Sequence, residues 1–293
     1  VTAFLPTTIT MERTRIEQAL RRIKAAMAGG CGPGAQILGC NLEGPFINAK
    51  YKGAHDERYI IPPEWAWLQP YLEVIRLITV APEIEGALAF IKKMVASGVV
   101  VSLGHTNATY EEMVQGMNAG ATHVTHLFNA MPPLHHRRPG AVGAALLQPV
   151  DCELIADDIH VAPAVQELVL KMKGQQRLVL ITDAMRACLL ADGTYELGGL
   201  AVQVKAGQAR LPDGTLAGST LVLNRALANF RRNTGLPFEE VIKLATVNPA
   251  RILRLENRKG NIAPGMDADL VLWDEDFHVL MTYVAGEQVF SLR

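Results

Sequence analysis

The chain has 293 residues, 49% of them hydrophobic and 19% charged, with 28 basic against 29 acidic side chains. This composition excludes wholesale disorder, the net charge of −1 gives no basic excess for nucleic acid, and no apolar run approaches the ~18 residues of a membrane-crossing helix. Cys31, Cys40, Cys152 and Cys188 are scattered without a C-x-x-C pair, and with no secretory signal in view they read as reduced thiols in the cytoplasm.

In chain order, residues 1–7 are a β-rich run closed by Pro6. Residues 11–27 carry helical spacing, with Ile16, Leu20, Ile23 and Met27 on one face. A loop over 29–34 leads to the apolar run Ile37-Leu38-Gly39-Cys40-Asn41-Leu42, which ends on Glu43. The polar stretch with Lys50, Lys52 and His55 is a loop, and residues 62–71 are expected to be helical. Leu77-Ile78-Thr79-Val80 is a strand, 83–97 a helix, and Val100-Val101-Ser102-Leu103 a strand ending on Gly104-His105. Thr109 and Glu112 form a capping box at the head of a helix that stops at Gly120. A strand around Thr125 carries His126, and a Pro-, His- and Arg-rich loop over 131–140 follows. Strands near Leu154 and Leu180 flank a helix over 163–173, and the second ends on Asp183.

Seven strands alternate with helices, near Phe4, Cys40, Thr79, Ser102, Thr125, Leu154 and Leu180. Alternation of this kind fits an open doubly wound sheet or a closed (β/α)8 barrel. No G-x-G-x-x-G follows the first strand, and polar residues end many strands, which favours the TIM-type α/β barrel. Residues 193–212 read as a β insertion, 216–233 and 237–245 as helical stretches. Residues 260–293 read as short strands that cannot bury a face alone. The expected division is a barrel over 1–259 and the C-terminal part of a small β-sandwich over 260–293. Its first barrel strand would belong to an upstream segment of roughly 80 to 100 residues.

Glu43, His105 and His126 sit at the carboxyl ends of such strands and so face one mouth. Two neutral imidazoles and a carboxylate with an open fourth position recur as the ligands of a hydrolytic zinc ion, and Fe, Mn and Co accept the same donors. The plainer alternative for each is a satisfied polar group at a strand end. His123 reads as core or spacer, and His135 and His136 as rim residues.

Leu42-Glu43-Gly44-Pro45-Phe46, Gly104-His105, Thr125-His126-Leu127-Phe128-Asn129-Ala130-Met131, Ile155-Ala156-Asp157, Thr182-Asp183-Ala184-Met185 and Pro264-Gly265-Met266-Asp267-Ala268-Asp269-Leu270 come in a telling order. With them the chain resembles, along essentially its whole length, the N-acetylglucosamine-6-phosphate deacetylases of the amidohydrolase superfamily. The resemblance implies a metal-dependent barrel, usually a homodimer, that removes acetate from N-acetylglucosamine 6-phosphate. It implies a divalent ion, zinc first, on Glu43, His105 and His126, and Asp183 as the acid/base. By the same matching His55, Asn129, Ala130, Arg137, His160 and the turn Leu216-Ala217-Gly218 contact the sugar phosphate. A guanidinium fork suits Arg137 to phosphate, and His55 is placed to hold the acetyl carbonyl. Three positions depart from the family pattern: Asp158 replaces a usual Gly beside the expected phosphate site, Arg138 a common acid, and Cys188 stands near a usual Gly. Two other classes stay open. One is an amidohydrolase for a cyclic amide or a deaminase substrate, which needs neither Arg137 nor His160. The other is a truncated, metal-free scaffold.

Overall fold

The computed structural model describes residues 1–29 and 32–292. Cys31, part of the loop expected over 29–34, and Arg293 at the end of the expected tail lie outside the described residues. The elements begin with β1 (Ala3–Phe4), β2 (Thr7–Thr8), α1 (Arg13–Gly29), β3 (Gln36–Ile37) and β4 (Cys40–Glu43), followed by α2 (Trp65–Leu68). Then β5 (Ile75–Val80), α3 (Ala87–Ala96), β6 (Val100–Leu103), α4 (Tyr110–Asn118), β7 (His123–Val124), α5 (Gly140–Leu147), β8 (Asp151–Ile155), α6 (Pro163–Lys173) and β9 (Leu178–Ile181) alternate strictly.

The strands β2-β4-β5-β6-β7-β8-β9 form one sheet in that order, each pair parallel. From β4 to β9 sequence neighbours are sheet neighbours, which is the winding of a TIM-type barrel and leaves no switch point. The strand interiors explain themselves: β6 and β8 are buried at every residue, as a sheet covered on both faces requires. Inside the curl, Thr125 Oγ1 lies 2.9 Å from Thr79 Oγ1 and 2.6 Å from Ser102 Oγ. The hydroxyls satisfy one another, so this polar layer costs little. Helices cover the outside. Thr109 accepts from the Glu112 amide while Glu112 accepts from the Thr109 amide, completing the expected capping box of α4. Phe46 is fully buried, edge-on to Trp67 and Phe90 at ring distances of 5.9 and 5.0 Å. A side chain of this kind contributes about 1.5–3 kcal/mol by leaving water.

Several local expectations are corrected. The N-terminal run is two strands: β1 pairs with β3 in a separate two-stranded sheet, and only β2 joins the barrel. Pro6 stands between them and cannot donate to a ladder. The strand before His126 is His123–Val124, so His126 lies past its end rather than on it. Residues 216–219 are not helical but pair back on strands, through Arg210–Leu216 and Ala184–Ser219 bridges. The α5 helix had no sequence signature because all but its last residue is buried, and an all-round apolar helix has no periodicity to read.

The chain then forms an antiparallel sheet of β10 (Gly193–Leu197), β11 (Leu200–Lys205) and β12 (Gln208–Arg210). The helices α7 (Leu223–Thr234), α8 (Phe238–Val241) and α9 (Val247–Ile252) precede β13 (Leu270–Trp273), β14 (Val279–Val284) and β15 (Glu287–Ser291). These last strands make a three-stranded antiparallel sheet. It is fastened to the barrel by Phe238 against Phe277 and Trp273, with ring centroids 5.3 and 6.1 Å apart. Lys259, 8% exposed, ties the preceding turn by reaching Asp267 at 2.9 Å and Asp269 at 2.6 Å. Leu272, Phe290 and Leu292 remain exposed on this sheet. Among the described residues no helix is long and apolar enough to cross a membrane.

Candidate active site

Glu43 ends β4, and its Oε1 lies 2.9 Å from His105 Nε2 and 3.0 Å from His126 Nε2. The two imidazole nitrogens are themselves 3.0 Å apart. All three residues are buried. His105 and His126 follow β6 and β7 with φ of 48° and 27°, a left-handed backbone that histidine tolerates better than most residues. The chain therefore reverses sharply at each strand end. Burial disfavours a charge on Glu43, yet hydrogen bonds with His105 and His126 hold its carboxyl well below the usual range. Burial also opposes charge on His126, but the hydrogen bond to Glu43 and the nearby carboxylates raise it to about 9.

This donor set fits a divalent ion. Three ligand atoms at 3.0 Å from one another can share an ion at ~2.1 Å from each. His105 Nδ1 lies 2.9 Å from the Tyr51 carbonyl, which can only accept, so the proton is on Nδ1 and Nε2 is free to ligate. Glu43, His55 and His105 also offer ligand atoms within 4.8 Å of one another, so His55 is a second geometric possibility for the third ligand.

His55 is buried, its ring 4.4 Å from that of His105. Burial above all presses its pKa down to about 3. Asp183 follows β9 with φ 48°. Burial and the Glu43 charge push its carboxyl up to about 7, with His126 and His160 pulling the other way. Its carbonyl accepts from the Ser219 amide at 2.8 Å. Gly218 has φ 62°, and a Cβ there would stand 3.1 Å from the Asp183 carbonyl. Gly218 thus packs against the Asp183 backbone, while Leu216 and Ala217 pair with Arg210 and Ala209 of the strand that ends at Arg210.

Around this floor the remaining residues are engaged mainly with the protein. Asn129 Nδ2 donates to the carbonyls of His126 and Leu127 at 3.2 and 3.3 Å. The Ala130 carbonyl accepts from the Thr106 amide at 3.1 Å, joining the loops that follow β6 and β7. His160 Nδ1 lies 2.6 Å from Asp157 Oδ2, and Asp157 Oδ1 accepts from the Ile159 and His160 amides. Against burial, those bonds hold the Asp157 carboxyl below its usual range. Arg137 is exposed, with Nη1 2.7 Å from His136 Nε2. No ion pair or hydrogen bond joins Arg137 to His160 among the described residues. The carboxylate of Asp158 is held by three side chains. It accepts from Arg232 at 2.6 Å, Asn233 at 2.6 Å and Gln166 at 2.9 Å, all on the outer helices α6 and α7.

Sequence reasoning missed three supports. Glu153 on β8 accepts from the His126 amide at 3.2 Å and lies 3.0 Å from His123 Nε2, with both side chains buried. An acid inside the buried run Asp151–Ile155 was the available signal. Glu83 holds the Asn48 side chain at 2.9 Å, the Thr106 hydroxyl at 2.5 Å and the Asn107 amide at 2.7 Å, fixing the loops behind Glu43 and His105. The third is Thr10, fully buried against His55.

The amidohydrolase family model matches residues 1–289, and the chain belongs to that family. It is 40% identical over 297 residues to an N-acetylglucosamine-6-phosphate deacetylase of Bacillus subtilis, covering 99% of this chain and 75% of that one. It is also 40% identical over 292 residues to an N-acetylgalactosamine-6-phosphate deacetylase of Escherichia coli O157:H7, covering 98% and 77%. The crystal structure of an N-acetylglucosamine-6-phosphate deacetylase from Thermotoga maritima superposes with a TM-score of 0.95 at 41% identity, over 100% of this chain and 80% of that one.

Proposed function

We propose that this chain hydrolyses the acetamide of N-acetylglucosamine 6-phosphate to glucosamine 6-phosphate and acetate, as a step of amino-sugar breakdown. The observation that carries the reading is a Glu43–His105–His126 ligand cluster sharing a buried mouth with a carboxyl, Asp183, whose pKa lies near neutrality. When bound by those three residues, a divalent ion supplies a Lewis acid and lowers the pKa of water. Asp183 accepts the proton of the attacking water and returns it to the leaving amine, a task best done by a group poised near the working pH. His55 hydrogen-bonds the acetyl oxygen, and Gly218 with its neighbours sets the position of Asp183. Arg137 and His160 bind the phosphate, and Asn129 and Ala130 contact the sugar.

Zinc as the ion, a homodimer as the assembly and the cytoplasm as the location follow the resemblance and the free thiols of Cys40, Cys152 and Cys188. The test is acetate release by purified, metal-loaded protein from N-acetylglucosamine 6-phosphate, N-acetylgalactosamine 6-phosphate and unphosphorylated N-acetylglucosamine. Turnover of a phosphorylated sugar well above the unphosphorylated one supports the reading. No acetate from either phosphate, with hydrolysis of a cyclic amide instead, overturns it.

A further inference from the structure

We infer that Thr10 is a positioning residue: it fixes the tautomer of His55 so that Nε2 always carries a proton into the site, which makes His55 a hydrogen-bond donor and bars it from ligating the metal. The inference rests on the deacetylase reading only for what that donor serves. The direction of one hydrogen bond carries it. The backbone amide of Thr10 lies 3.2 Å from His55 Nδ1. An amide can only donate, so Nδ1 is the acceptor and bears no hydrogen. The Thr10 hydroxyl, 2.7 Å from the same nitrogen, must then donate as well. An imidazole whose Nδ1 bears no hydrogen carries its single proton on Nε2. Nothing else reaches Nδ1 among the bonds of the described residues, and Thr10 is 0% exposed, so water does not compete.

The local backbone is shaped around this contact. Gly44, immediately after Glu43, has φ 73°, and a Cβ there would fall 2.0 Å from Thr10 Oγ1 and 3.3 Å from His55 Nδ1. Only glycine lets the Glu43 strand end, the segment after β2 and the His55 loop meet at one point. The arrangement also sorts the two histidines beside Glu43. His105 gives its Nδ1 proton to the Tyr51 carbonyl and keeps a lone pair on Nε2, whereas His55 receives protons at Nδ1 and keeps none free on Nε2. Of the two, only His105 offers Nε2 as a ligand atom, although both stand near Glu43.

Imidazole nitrogen NMR on the zinc-loaded protein reads the tautomer without turnover, with the His55 signal identified by its loss in His55→Asn. An Nε2–H tautomer that persists with zinc supports the inference; an Nδ1–H tautomer, or a zinc-bound Nε2, overturns it even if the enzyme deacetylates. Activity then tests its use. Thr10→Val is expected to lower kcat about tenfold, less than the ~100-fold lost with a whole oxyanion donor, with metal content and KM unchanged, and Thr10→Ser is expected to restore the rate. Wild-type kcat in Thr10→Val, or equal losses in Val and Ser variants with metal lost, refutes a positioning role. If neither phosphorylated sugar is turned over, the tautomer result still decides the inference, and only the deacetylase reading falls.

Discussion

At the floor of the barrel mouth, Glu43, His105 and His126 are 7%, 4% and 5% exposed and lie within 3.0 Å of one another. At its rim, Arg137 is exposed and bonds the neighbouring His135 and His136, while His160 is bound to Asp157. Strand ends, a polar layer and buried carboxylates hold the floor, whereas loops carry the rim. The difference teaches that the cluster proposed for the reaction is preorganised before any substrate arrives, whereas the two groups proposed for the anion, Arg137 and His160, are not joined to each other among the described residues. Preorganised donors keep their worth because no reorganisation is needed during the reaction.

The most severe way to break the floor is His126→Ala. Metal content and acetate release are both expected to fall to background, and a variant that keeps stoichiometric metal would sink the assignment. Asp183→Asn is milder and more informative: the metal should stay while kcat drops at least ~100-fold. In the metal-free protein this carboxyl is raised from 3.8 to about 7, so its contribution to stability is present below pH 4 and lost as the pH rises toward 7. Urea unfolding of Asp183→Asn should therefore gain on the wild type by up to about 1.4 kcal/mol per pH unit across that window. Parallel curves would argue that the carboxyl is not buried. His126, raised to about 9, must release its proton to take a metal. Metal affinity should climb with pH up to about 9, and titration at constant buffer composition checks it.

At the rim the effects shrink. Arg137→Ala is expected to raise KM for the phosphorylated sugar about tenfold, the worth of one charge-assisted bond, and to leave the unphosphorylated analogue untouched. Equal shifts for both would place the anion elsewhere. Asp158→Gly should change KM least, within about twofold, because its carboxylate serves Arg232 and Asn233 and glycine suits its φ of 65°. A large change would bring Asp158 back to the phosphate.

The same contrast explains what could be read from the chain. Glu43, His105 and His126 were legible because each closes an apolar run, and strand ends of a parallel barrel share one face. The parallel order from β4 to β9 followed from alternation alone. Thr10 and Glu83 were not legible, since their partners His55 and Thr106 lie 45 and 23 residues away and no local pattern encodes such pairing. The partners of Asp158 were hidden for the same reason: adjacency to His160 in sequence says nothing of Arg232 on α7. Short strands also shifted by a residue or two, as with His123–Val124, where Thr125 already belongs to the hydroxyl layer.

The left-handed backbone at His105, His126 and Asp183 bears on any attempt to redesign the centre. Histidine, aspartate and asparagine are the side chains that enter this conformation readily; other residues begin with a handicap of about 1–2 kcal/mol. Exchanging one histidine for a thiolate to favour softer metals, or for a β-branched spacer to empty the pocket, would therefore strain the loop before it altered the coordination. Variation that preserves the reversal is confined to a small alphabet, so new metal preferences would have to be sought through Glu43, which ends its strand without that backbone reversal, or through the shell of Tyr51, Glu153 and Thr10.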